Sequence, residues 1–173
     1  MDINEFWSLV SQSYEAANGD LDVQVELLIE KLVHETTEHI LAYDSIFQHL
    51  MDQANTATLW DAADIIGCGC GHDDFRDFRG WLIAHGKEVY ENALADPESL
   101  VEVIKVSERA RHEEFLYVSI YAHERKTGSP YFHRKEMVRI EVKGAHWPDK
   151  EKRFPKLAAK FGDCKERWAL YDW

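Results

Sequence analysis

The chain has 173 residues, 45% hydrophobic and 12% aromatic, with 32 acids against 20 lysines and arginines for a net charge of −12. This predicts one globular domain rather than a disordered chain, and no stretch approaches the roughly 18 to 20 apolar residues that a membrane span needs. The acidic opening Met1-Asp2-Ile3-Asn4-Glu5 lacks the positive start of a signal peptide, and three cysteines cannot close a disulfide set, so a cytoplasmic protein is expected.

The charge is unevenly placed. Residues 1–75 carry 15 acids and a single base, Lys31, whereas residues 101–173 carry 16 bases against 12 acids. An acidic half repels phosphate backbones, which argues against nucleic-acid binding, and it would steer a basic protein toward the chain. Solubility is the plain alternative use of such a surface.

In chain order, Asp2 followed by Glu5 has the form of a capping box, and Phe6, Leu9, Val10 and Tyr14 then recur at helical spacing until Asn18-Gly19 stops the helix. Leu21 to Val33 carries a stripe of Val25, Leu28, Ile29 and Leu32. Thr36 or Thr37 caps a third helix with Ile40, Tyr43, Phe47, Leu50 and Ala54 inward. Leu59 to Ile66 forms a short helix ended by Gly67, and Asp73 or Asp74 opens another bearing Phe75, Phe78 and Leu82. Lys87 to Ala95, a segment starting at Asp96-Pro97, and a long stretch from Ser107 to Lys126 all read as helical. Beyond Pro130, Val138, Ile140 and Val142 alternate with Arg139, Glu141 and Lys143, a strand pattern that must pair with residues 131–133 or lie as an extended arm. Asp149 to Phe161 is a last short helix. The fold class predicted is mainly α: about seven helices with a small extended or two-stranded C-terminal appendix, all in one domain.

Few constellations carry chemistry. In His34-Glu35-Thr36-Thr37-Glu38-His39 the histidines are five apart, about 140° around a helix, whereas a zinc-protease motif needs them four apart on one face. Cys68, Cys70 and His72, with Cys164 as a possible fourth ligand, have C-x-C rather than C-x2-C spacing, so no metal is expected. Gly67, Gly69 and Gly71 read as a tight turn between helices. The loop matches no nucleotide-binding pattern, no cofactor is expected, and no catalytic set stands out. Two charges fall inside apolar stripes: Asp44 among Ile40, Phe47 and Met51, and Arg79 between Phe75 and Leu82. A buried charge is rarely left unpaired, so an Asp44–Arg79 ion pair fixing two helices is predicted.

The segments 42–47, Leu59-Trp60-Asp61-Ala62-Ala63, 67–83, Gly86-Lys87-Glu88-Val89-Tyr90 and 93–97 resemble the bacterial domain-of-unknown-function family numbered 4240. Asn4-Glu5-Phe6-Trp7 and the stretch 154–162 resemble it too, so the likeness spans about residues 2 to 162 and leaves the aromatic tail, Trp168 to Trp173, outside. In that family the glycine loop holds one cysteine and two acids, so Cys68 and His72 are local departures. The resemblance implies a helical fold and no assigned activity. The function expected is therefore a non-enzymatic protein-interaction module, an acidic inhibitor or immunity-type protein binding a basic partner such as a toxin. Asp44, Asp52, Asp61 and Asp64 would supply charge and Trp60 an aromatic anchor. An enzyme with a dispersed site, or a regulatory domain beside a fused partner, are the alternatives.

Overall fold

A computed structural model describes residues 1–130 and 141–164. Among these the regular elements are helices: α1 (Ile3–Ala16), α2 (Leu21–Val33), α3 (Thr37–Gln53), α4 (Ala57–Gly67), α5 (His72–Ala84), α6 (Lys87–Ala95), α7 (Val118–Thr127), α8 (Lys150–Arg153) and α9 (Pro155–Phe161). Two 3-10 turns, Pro97–Val101 and Glu114–Tyr117, lie between α6 and α7. No helix here is long and apolar enough to cross a membrane.

Local chemistry sets most boundaries. Asp2 Oδ1 accepts from Glu5 N at 2.9 Å while Asp2 N donates to Glu5 Oε2 at 2.7 Å, which is the capping box of α1. Asn18 and Gly19 take φ of 52° and 78° and end that helix. Asp20, Thr36 and Thr56 cap α2, α3 and α4 with their side-chain oxygens.

Helices α1 and α7 flank α2, α3 also lies on α7, and α9 packs on α4 and the 97–101 turn. The interior is filled by Trp81, Tyr43, Phe6, Phe75, Phe115 and Phe161 with aliphatic side chains from every long helix.

The structure corrects three expectations. Residues 103–113 leave the helix expected from Ser107 onward, because Glu108 Oε2 accepts from Lys105 N and Glu108 Oε1 accepts from Trp81 Nε1. This holds the segment against α5, and α7 starts only at Val118. The last helix breaks at Phe154-Pro155: proline has no N–H and pushes its predecessor out of helical geometry, and Phe154 sits at φ −120°, ψ 66°. The C-terminal appendix is not extended or two-stranded among the described residues. It carries α8 and α9, and the sole bridge there joins Lys143 to Thr56. Residues 138 to 140 of the alternating pattern, their expected partners 131–133 and the tail 168–173 lie outside the described residues.

Cys68 and Cys164 form a disulfide with Cα atoms 5.5 Å apart, leaving Cys70 as the free thiol. The separation is ordinary for a disulfide. It removes the cysteine-count argument for a reducing compartment, where lasting disulfides are rare.

Candidate functional site

Two clefts flank α4. The larger is an open groove of about 370 Å³ between α4 and residues 146–150. Asp64 lies three positions after Asp61 and four after Trp60, so the three side chains fall within about 100° of one side of α4. The facing segment is held in register at its start. Lys143 N donates to Asn55 O at 3.0 Å, Ala57 N donates to Lys143 O at 2.8 Å, and Lys143 Nζ donates to Asp52 O at 2.8 Å. This brings His146, Trp147 and Lys150 over α4.

Within the groove Asp61 is buried, and each carboxylate oxygen has a donor. His146 Nδ1 bonds one at 2.6 Å and Trp147 N–H bonds the other at 2.9 Å. Lys150 forms a salt bridge with Asp64. Trp60 stacks on Phe75 with centroids 4.6 Å apart, meets His146 edge-on at 5.6 Å, and donates its indole N–H to Cys70 O at 2.8 Å. Trp147 is 52% exposed, and the Arg153 guanidinium lies 4.4 Å from its ring centroid. The result is a half-lined aromatic trough with two carboxylates beneath it.

The smaller cleft, of about 150 Å³, lies between the glycine-cysteine loop, Phe78 of α5 and residues 108–111. Arg111 pairs with Asp74 and donates to Gly69 O at 3.2 Å, so it clamps the loop. The guanidinium packs closely on Gly67, where a Cβ would lie 3.0 Å from Arg111 Nη2. Gly69 takes φ of 116°, but the left-handed cap of α4 is Cys68 itself at φ 54°. Burial pushes the Cys70 thiol up to about 12, outweighing the opposing pull of Arg111, so it is protonated and a poor nucleophile. Cys68 and Cys164 are bound to each other, and among the described residues no three His, Cys, Asp or Glu side chains are grouped to hold a metal ion.

Of the partner-binding residues expected, Trp60, Asp61 and Asp64 come together in the groove. Asp61 and Asp64 are not the free surface acids foreseen, because His146, Trp147 and Lys150 already engage them. Asp52 is half-buried at the end of α3. Asp44 is buried and accepts from Ser119 Oγ at 2.6 Å, which excludes it from a docking surface.

The expected Asp44–Arg79 ion pair does not form. Arg79 passes over the Phe75 ring at 4.8 Å and donates to Met51 O at 2.8 Å and Phe75 O at 3.3 Å. Burial lowers its pKa to about 10, with Asp52 the leading opposing charge. A helical wheel gives angle but not height: Asp44 and Met51 share a side yet stand about 10 Å apart along α3. Arg79 is drawn to the carbonyls that α3 leaves open at its C-terminal end, and Asp44 turns to α7. His146 and Trp147 escaped the sequence reading because coil residues carry no period, and Lys150 because its partner Asp64 lies 86 positions away. An isolated His-Trp-Pro run outside any apolar stripe was the available signal.

Residues 1–125 match the family described as a protein of unknown function, DUF4240. No curated protein and no solved structure matches the chain. The matched region covers α1 to α6 and most of α7, including the α4 side of the groove and the glycine-cysteine loop, while His146, Trp147, Lys150 and Cys164 lie beyond it. With 125 of its residues inside that match, the chain belongs to the DUF4240 family.

Proposed function

We propose that the chain is a non-enzymatic protein-interaction module that docks a basic protein, in the manner of an acidic inhibitor or immunity-type protein. The observation that carries this reading is how its charges are disposed. Bases of the C-terminal half are engaged within the fold: Arg125 bridges Glu26 and Glu30, Arg111 holds Asp74, Lys150 holds Asp64, and Lys126 and Lys160 donate to backbone carbonyls. Glu15, Asp20, Glu35 and Glu38 are exposed and have no ion-pair partner among the described residues. Such a surface raises the encounter rate with a positively charged protein.

The test is capture of a partner from the native host, followed by stopped-flow association across a salt series. A basic partner should associate more slowly as salt rises toward 0.15 M, where the Debye length is about 8 Å. Replacing Glu35 and Glu38 by Gln should slow association more than it speeds dissociation. An association rate indifferent to salt and to both substitutions would end this reading.

A further inference from the structure

We propose that the groove between α4 and residues 146–150 is an anchor site for one lysine or arginine side chain of the partner; this rests on the reading of the chain as a binder of basic proteins. The groove's groups are chiefly electron-rich. His146 turns Nδ1 to Asp61, so that when the ring is neutral and donates there, Nε2 offers its lone pair to the groove. That imidazole side chain is 55% exposed, and Nε2 has no partner among the described residues. Asp64 Oδ1 is likewise without a hydrogen bond among them, and Trp60 and Trp147 contribute aromatic rings. Against two carboxylates the groove holds one ammonium, Lys150, which is tied to Asp64. An occupant that brings N–H donors and positive charge suits the Asp64 oxygen and the aromatic rings that remain open.

The chain already places cations of its own around this groove. Lys150 sits on Asp64, and the Arg153 guanidinium sits over the Trp147 ring. A planar guanidinium or an ammonium from a partner has the same chemistry, with cation–π attraction to an indole face and a charge-assisted hydrogen bond to the imidazole. The Asp61 carboxylate fixes the orientation of the His146 ring at the groove.

The experiment titrates the isotope-labelled full chain at low ionic strength with capped triarginine, capped trilysine and, as the uncharged control, capped tricitrulline. Saturable shifts at the Trp147 indole N–H and the His146 ring nitrogens are expected with the cationic peptides and not with citrulline. Trp147→Ala should weaken binding about three- to tenfold, the scale of one cation–π contact. His146→Gln can still donate to Asp61 and offer an acceptor, so it should bind better than His146→Leu. Circular dichroism establishes that each variant folds, and the ring-nitrogen shifts of the unaltered chain stand if one does not.

Shifts confined to the exposed acids Glu15, Asp20, Glu35 and Glu38, with Trp147→Ala unchanged, would overturn the groove and leave docking of a basic protein standing. Equal binding of citrulline would also overturn it. No saturable binding of either cationic peptide would remove both. Filling of the groove together with a salt-indifferent partner association would support the anchor and remove charge-steered docking.

Discussion

Tyr43 lies in the centre of the fold, 4.8 Å from Phe6 by ring centroid, and its hydroxyl is buried without a hydrogen bond among the described residues. Burial, with Asp44 adding to it, holds the phenol far above its usual pKa. A buried hydroxyl with no partner is a net loss relative to water, so the ring and not the oxygen stabilises the fold. Tyr43→Phe should leave urea stability unchanged or raise it by about 1 kcal/mol. A loss of comparable size would show that the hydroxyl has a partner after all. Asp44 and Arg79 invite a second measurement at this scale. Each has its own partners, Ser119 on one side and the Met51 carbonyl on the other, so Asp44→Leu and Arg79→Met should add within about 0.5 kcal/mol. A coupling energy of several kcal/mol would restore the ion pair that their positions in the sequence suggested.

Helix-to-helix contacts show how closely the elements are fitted. Gly80 on α5 faces the 114–117 turn, and a Cβ there would stand 2.9 Å from Leu116 Cδ2 and 3.3 Å from His112 O. Gly80→Ala should therefore destabilise the protein by about 1 to 3 kcal/mol through overpacking, despite alanine's better helix propensity. A second element-scale restraint is the disulfide, which joins the end of α4 to Cys164 across 96 residues. By restricting the unfolded chain it should contribute about 2 to 4 kcal/mol, so reduction should lower the thermal midpoint. Unreduced, denatured protein should titrate as one thiol, that of Cys70, and a count of three would disprove the link. What was legible in the sequence at this scale followed from locality. Capping side chains lie within three residues of the N–H groups they satisfy, and apolar stripes repeat within one helix, so α1 to α6 were readable. The disulfide, the Trp81–Glu108 hydrogen bond that straightens residues 103–113, and the seating of His146 on Asp61 span 27 to 96 positions. Those pairings are set by how helices dock, and no short window contains them. The groove was legible by half for the same reason: its α4 side follows helical spacing, and its facing side is coil up to the first residue of α8.

At the scale of the whole molecule, two histidines tie stability to pH. His85 follows α5, with Nδ1 bonded to Trp81 O at 2.9 Å, its ring 3.9 Å from that of Trp81 and 5.2 Å from that of Tyr14. His112 is buried beside Phe115 and Asp22. Burial lowers both pKa values below the usual 6.5; the Trp81 carbonyl and then Glu108 oppose it at His85, and Asp22, the Leu21 backbone, Glu114 and Asp20 oppose it at His112. The unfolded chain therefore takes up protons near pH 6.5 that the native chain resists. The stabilisation from keeping these rings neutral is complete above pH 6.5 and is lost as pH falls through their lowered native values. Relief of repulsion among the 32 acids cannot mask this, because exposed carboxylates protonate only near pH 4. The urea midpoint should thus fall between pH 7 and pH 5, before the acids respond. Replacing His85 and His112 together by Gln should flatten that decline, whatever it does to stability at pH 7. A decline that persists unchanged in the double variant would place the proton uptake elsewhere.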